Sequence, residues 1–162
     1  MALTTDILQS YRAPGTVIAR LASQDRREAR LLFYLVLACG LIFVAQWPRL
    51  AREAFLDASV PLEARLSGAL FGWIFLAPLF FYAVAMLMGW VLRFARAGVG
   101  GFDVRLAVFW ALLVSSPLTL LGGLTMGIVG PGASATLVGV LTLGVFLAVL
   151  IAGLRVASRQ GG

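Results

Sequence analysis

The chain has 162 residues, 61% of them hydrophobic and only 12% charged, with a formal net charge of +6 and no histidine. A mean hydropathy of +0.99 argues against a soluble domain on an anchor and describes one membrane domain. A single cysteine cannot close a disulfide within the chain. With no His beside it, zinc and haem chemistry lack their usual ligands, so no cofactor and no metal are expected.

Residues 1–30 form an amphipathic, basic segment ahead of the first apolar run. Asp6 to Tyr11 and Thr16 to Leu21 place Ile7, Leu8, Tyr11, Val17, Ile18 and Leu21 at helical spacings, with Pro14-Gly15 between them. Two short amphipathic helices are predicted. They either lie on the cytoplasmic bilayer surface, with Arg12 and Arg20 in water, or dock beneath the bundle. Arg26, Arg27 and Arg30 then form a cluster that reads first as a topology determinant. Its functional reading is contact with anionic lipid headgroups or an acidic partner. The Arg26-Arg27 pair lacks the apolar residues that a twin-Arg export signal needs directly after it.

Four runs follow in which no Asp, Glu, Lys, Arg or His occurs: Leu31 to Trp47, Leu66 to Leu92, Leu106 to Ser134 and Ala135 to Leu154. Each is about 17 residues or longer, roughly what a helix needs to cross a 30 Å hydrocarbon core. The fold class is therefore an all-α integral membrane protein. Its spans are placed at about 31–47, 66–92, 106–128 and 134–154, and 155–162 forms a tail. In the first span, Val36-Leu37-Ala38-Cys39 comes close to a lipoprotein cleavage box. Apolar sequence continues to Trp47, however, so Cys39 reads as a buried span cysteine. Pro48 is expected to end this span, and the loop 48–65 to carry one short helix from Arg49 to Leu56. The second span is long, so it must tilt or bend, and Pro78 supplies a place to kink.

Gly98-Val99-Gly100-Gly101 is a turn and not a phosphate loop, since no strand precedes it and no Lys follows. In the third span Pro117 frees a carbonyl that Ser115 or Ser116 can satisfy. Trp73, Trp90 and Trp110 are expected at the interface or in packing. All 13 basic residues are Arg, which reads as codon bias of a GC-rich bacterial genome. Five of them precede the first span, Arg93, Arg96 and Arg105 lie between spans two and three, and Arg155 and Arg159 follow span four. Arg49, Arg52 and Arg65 on the other side are offset by Glu53, Asp57 and Glu63. The positive-inside rule then places both termini in the cytoplasm, with the chain in a bacterial inner membrane.

Small residues recur at four-residue spacing: Gly68 with Gly72, Gly123 with Gly127, and Ala135 with Gly139, then Gly144, Ala148 and Ala152. Such faces let membrane helices approach closely, either within one bundle or against a partner. Tyr82, Ser115 and Ser116, with Thr119 and Thr125, are the polar cluster at depth. A transport site would want convergent polar groups and usually a charge, and interhelical hydrogen bonds explain these hydroxyls without a substrate. No nucleophile–base or paired-carboxylate arrangement exists in the spans, so an enzyme is not expected.

The order of these pieces resembles the short bacterial form of the Yip (Ypt-interacting protein) domain family. The resemblance rests on Pro14-x-x-Val17-Ile18-x-x-Leu21, on Gly-Ala-Leu-Phe-Gly-Trp at 68–73 and on Leu-Phe-Phe-Tyr at 79–82. It is closest at Phe102-Asp103-Val104-Arg105-Leu106-Ala107-Val108-Phe109-Trp110-Ala111, followed by Ser115-Ser116-Pro117-Leu118. Family members are multispan proteins; eukaryotic ones bind Rab-type GTPases through a longer cytoplasmic N-terminus and affect membrane shape. The resemblance implies a helical membrane fold and a membrane-organising or partner-binding role, and transfers no functional residue. The expected function is non-enzymatic, with membrane lipids, other membrane proteins or a second copy as partners, and no nucleic acid. The alternatives are an accessory or assembly subunit of a larger, energy-transducing membrane complex, or a small-solute transporter or channel.

Overall fold

The computed structural model describes residues 3–24, 26–94 and 98–160; Arg96, counted above with the basic loop, lies outside them. Two short helices, α1 (Leu3–Ser10) and α2 (Pro14–Ser23), precede the long α3 (Glu28–Leu56). Next, α4 (Leu62–Phe71), a π-helical stretch (Gly72–Leu76) and α5 (Ala77–Phe94) run on as one 33-residue rod. The helices α6 (Gly101–Ile128) and α7 (Ala133–Gln160) complete the chain. Four rods are long and apolar enough to cross a membrane, and no strand occurs among the described residues.

Ion pairs fix the directions. Arg26 with Asp103 and Arg105 with Glu28 tie the start of α3 to the start of α6. At the other end Arg52 donates to the Gly127 and Ile128 carbonyls, at the C-terminal pole of α6 where a cation is favoured. Thus α3 and α6 run parallel, and the other two rods return antiparallel. One end of the bundle carries α1, α2 and residues 98–100. The far end carries the loops 57–61 and 129–132.

Helix α6 is the central pillar, with α3 and α7 as its principal neighbours. Every residue from Leu106 to Ser116 is buried, as expected where apolar side chains surround a helix completely. The most buried rod is also the least apolar. The most hydropathic 18-residue window of α6 is 67% buried at a mean hydropathy of 1.8, whereas that of α7 is 17% buried at 2.7. Lipid demands apolar side chains on the outer rods, while the interior tolerates satisfied hydroxyls.

Close backbone approach holds the pillar in place. A Cβ on Gly123 would lie 1.8 Å from the Ala45 carbonyl oxygen, and one on Gly127 would lie 2.4 Å from Cβ of Pro48. On the opposite flank a Cβ on Gly153 would meet Cβ of Ala107 at 2.7 Å and Cδ1 of Ile18 at 3.1 Å. Here α2, α6 and α7 meet. The N-terminal helices accordingly dock on the bundle: Val17, Ile18 and Leu21 are buried against it.

The expectation at Pro48 is corrected. Helix α3 continues through it to Leu56, so the loop contracts to 57–61, and the short helix from Arg49 is the last part of the span. A proline inside a membrane helix is tolerated where neighbouring groups compensate, and the backbone of α6 at Gly127 packs directly on this one. The second rod likewise starts at Leu62, ahead of its own apolar run at Leu66. Its irregularity is the π-helical stretch Gly72–Leu76. That stretch contains Ile74, the residue four before Pro78, whose carbonyl the proline ring would otherwise strike. In α6 the Ser116 hydroxyl donates to the Leu113 carbonyl at 2.7 Å, the acceptor that Pro117 leaves without its amide.

Candidate functional site

Two regions gather polar groups around the pillar. The first, at the end near the termini, seals the fold. Trp110 is fully buried and donates its indole N–H to Ser10 Oγ at 3.0 Å, while Ser10 Oγ donates to the Asp6 carbonyl. The Tyr11 hydroxyl donates to the Val114 carbonyl at 2.7 Å, one turn before Pro117. Asp6 pairs with Arg20 and so joins α1 to α2. Tyr34 meets the edge of Trp110 at 5.1 Å between centroids. These contacts clamp α1 across α6.

Partial burial pushes the Tyr11 hydroxyl above its usual pKa, because the loss of water disfavours the charged phenolate. The stability linked to this group is fully present below the ordinary tyrosine value near 10 and is lost as pH rises through the higher folded value. An alkaline red shift of tryptophan emission is therefore expected as α1 lets go of Trp110. Tyr11→Phe should remove that transition; a shift that persists unchanged in the variant would show that another group is responsible.

The second region is a groove of about 670 Å³ in the far half of the bundle. Its floor is α6, at Leu112, Ser115, Thr119, Gly122, Gly123 and Met126. Ile42, Ala45, Gln46 and Arg49 of α3 form one wall; Ala135, Thr136, Gly139, Thr142, Leu143 and Phe146 of α7 form the other. Trp73 and Phe81 of the second rod border it, and Pro131 and Gly132 stand at its far end. The hydroxyls on its lining serve their own helices. Ser115 donates to Leu112, Thr119 to Ser115, Thr136 to Gly132 and Thr142 to Val138, all to backbone carbonyls. To an occupant the walls are nearly apolar. Gln46 and Arg49 are the exceptions: the Gln46 carboxamide has no hydrogen-bond partner among the described residues, and Arg49 gives one N–H to Glu53 at 3.1 Å.

The predicted site residues fall into separate places. Ser115 lines the groove; Ser116 is fully buried and turned to Leu113; Tyr82 packs on Phe109 at 4.8 Å between centroids. They do not converge into one polar site. Gly123 and Gly127 are used inside the bundle, against Ala45 and Pro48. Gly68, Gly72, Gly139 and Gly144 have nothing within 4 Å of a Cβ position.

The basic cluster is engaged internally. Arg30 donates to Leu21 O and Gln24 Oε1, which caps the C-terminal end of α2. Arg26 lies over the Phe102 ring at 5.6 Å and pairs with Asp103, and Arg27 also has a partner. Cys39 is buried in the middle of α3. No group of three His, Cys, Asp or Glu side chains comes together among the described residues.

Reading the sequence missed Gln46, although it is the one carboxamide in the four predicted spans. It also missed Thr136 and Thr142, which look like ordinary span residues until α7 is placed beside α6. Fold and site together define a multi-pass helical membrane protein with an open groove along its central helix. Comparison with protein-family models, with characterised proteins and with solved structures returns no match.

Proposed function

We propose that this chain is a non-enzymatic, Yip-like protein of a bacterial inner membrane, with both termini in the cytoplasm. It organises membrane by binding lipids, partner membrane proteins or a second copy of itself through its helix faces. The observation that carries this reading is the small residues left bare: Gly68 with Gly72, one turn apart on the second rod, and Gly144 on α7. Within the described residues they meet nothing, yet the equivalent Gly123 and Gly127 show how closely this chain uses such a face when a helix is available. The same bare faces support the second reading, an accessory subunit of a larger membrane complex. Solute transport is less well supported, since the groove hydroxyls already serve their own helices.

The test is mild-detergent purification of the tagged chain from its native membrane, beside a Gly68→Leu/Gly72→Leu variant. A Cβ at these positions meets nothing within 4 Å among the described residues, so the thermal midpoint of the variant should stay near that of the wild type. Co-purifying protein should fall severalfold. Unchanged recovery of every associated protein with both this variant and Gly144→Leu would remove the helix-face reading.

A further inference from the structure

The groove beside α6 has the dimensions and polarity of a seat for one lipid molecule. Along α6 it extends from Leu112 to Met126, about 21 Å at 1.5 Å per residue. That is half of a bilayer measured with its headgroups, about 20–22 Å. It ends where Phe81 and Phe146 stand beside Leu112. Beyond that point, α6 is buried all round. A transmembrane helix needs the full 30 Å core, so only a molecule of a single leaflet matches this length.

Polarity follows the same axis. The deep part is lined by Leu112, Leu143 and Phe146 and by hydroxyls that are already committed. At the far end stands Arg49, with one of its five N–H groups taken by Glu53. Gln46 lies about 4.5 Å deeper along α3, with its carboxamide unpartnered. A guanidinium at headgroup depth suits a phosphate, and an amide one turn below it suits an acyl ester carbonyl.

We propose that the groove binds a glycerophospholipid from the leaflet away from the termini, with its phosphate at Arg49, an ester at Gln46 and an acyl chain along Thr119, Gly139 and Phe146. The proposal rests on the lipid-binding part of the reading above and names its ligand. Trp73 on the border is a built-in reporter. The full chain is reconstituted in phosphatidylcholine vesicles containing phosphatidylglycerol with brominated acyl chains, or brominated phosphatidylcholine at the same mole fraction. The Trp73 contribution is read as the difference between the wild type and Trp73→Phe.

Brominated phosphatidylglycerol should associate roughly fivefold better than the zwitterionic lipid, as expected for one Arg near the membrane surface. Arg49→Gln should abolish that preference. Gly139→Phe, whose new side chain starts in open space and fills the groove, should cut quenching with either lipid while leaving the helical circular dichroism intact. Equal quenching by both lipids, insensitive to Arg49→Gln and Gly139→Phe, would mean ordinary boundary lipid and would overturn the proposal. That result would leave protein co-purification untouched, so failure here is distinct from failure of the partner-binding role.

Discussion

Gly123→Ala, the smallest change available at that position, is expected to break the fold more severely than alanine at any of the bare glycines. The added methyl would sit 1.8 Å from the Ala45 carbonyl oxygen, and what it meets is backbone, not the yielding end of a side chain. Either α3 and α6 move apart along their shared length, or the main chain distorts. Overpacking of this kind costs about 1–3 kcal/mol and sometimes more. Gly127→Ala adds a second collision, at 2.4 Å with Pro48, so the double variant should fail to accumulate as a folded protein. Gly68→Ala and Gly72→Ala are the controls. Nothing lies near either Cβ, and alanine favours helix over glycine by roughly 0.5–1 kcal/mol. Their midpoints in a thermal or denaturing-detergent titration should stay level or rise. Equal losses for both pairs would contradict the assignment of Gly123 and Gly127 to the internal interface.

Trp110→Ala carries the second large effect. The indole is fully buried among α1, α3 and α6, touching Tyr34 and donating to Ser10. Truncating a buried Trp leaves a cavity and costs about 3–5 kcal/mol. It also deletes the anchor of α1, so protease sensitivity of residues 3–24 should rise with the loss of stability. Trp110→Phe retains most of the volume and loses mainly the hydrogen bond, about 1 kcal/mol. By contrast Trp90 is 61% exposed and meets Phe94 edge-on, so Trp90→Ala should fall within roughly 0.5 kcal/mol of wild type. Parallel unfolding titrations of the three variants in one detergent give this ranking directly.

The charge-free runs made the spans legible, because a bilayer penalises buried charge steeply enough to write its thickness into the sequence. The paired apolar faces around Pro14-Gly15 likewise disclosed α1 and α2. What such a face packs on is not written locally. Val17, Ile18 and Leu21 suit a lipid surface and a helix groove equally well, and only Gly153 of α7, more than 130 residues away, supplies the hole that Ile18 fills. Pro48 misled for a related reason. Proline stops a helix in water, but here α6 packs on it through a glycine, and the helix continues.

The three Gly-x-x-x-Gly-like faces are equivalent as patterns. Which one is spent inside the fold depends on where α3 lies. The groove was the least legible part. Its lining comes from four rods, and only Ser115 and Thr119 link it to the polar cluster that the sequence displayed. Gln46 was the available clue. An unpaired amide in a span is costly enough to ask what it faces.

The central claim is that this chain acts by holding lipid and membrane-protein partners against its helix faces. Native mass spectrometry of the intact chain, released from its own membrane in a lipid-preserving particle, tests this most directly. The account predicts a mass above the 17.3 kDa of one chain by a defined protein partner or further copies, together with retained phospholipid. A bare single chain that sheds every lipid and carries no protein would contradict it.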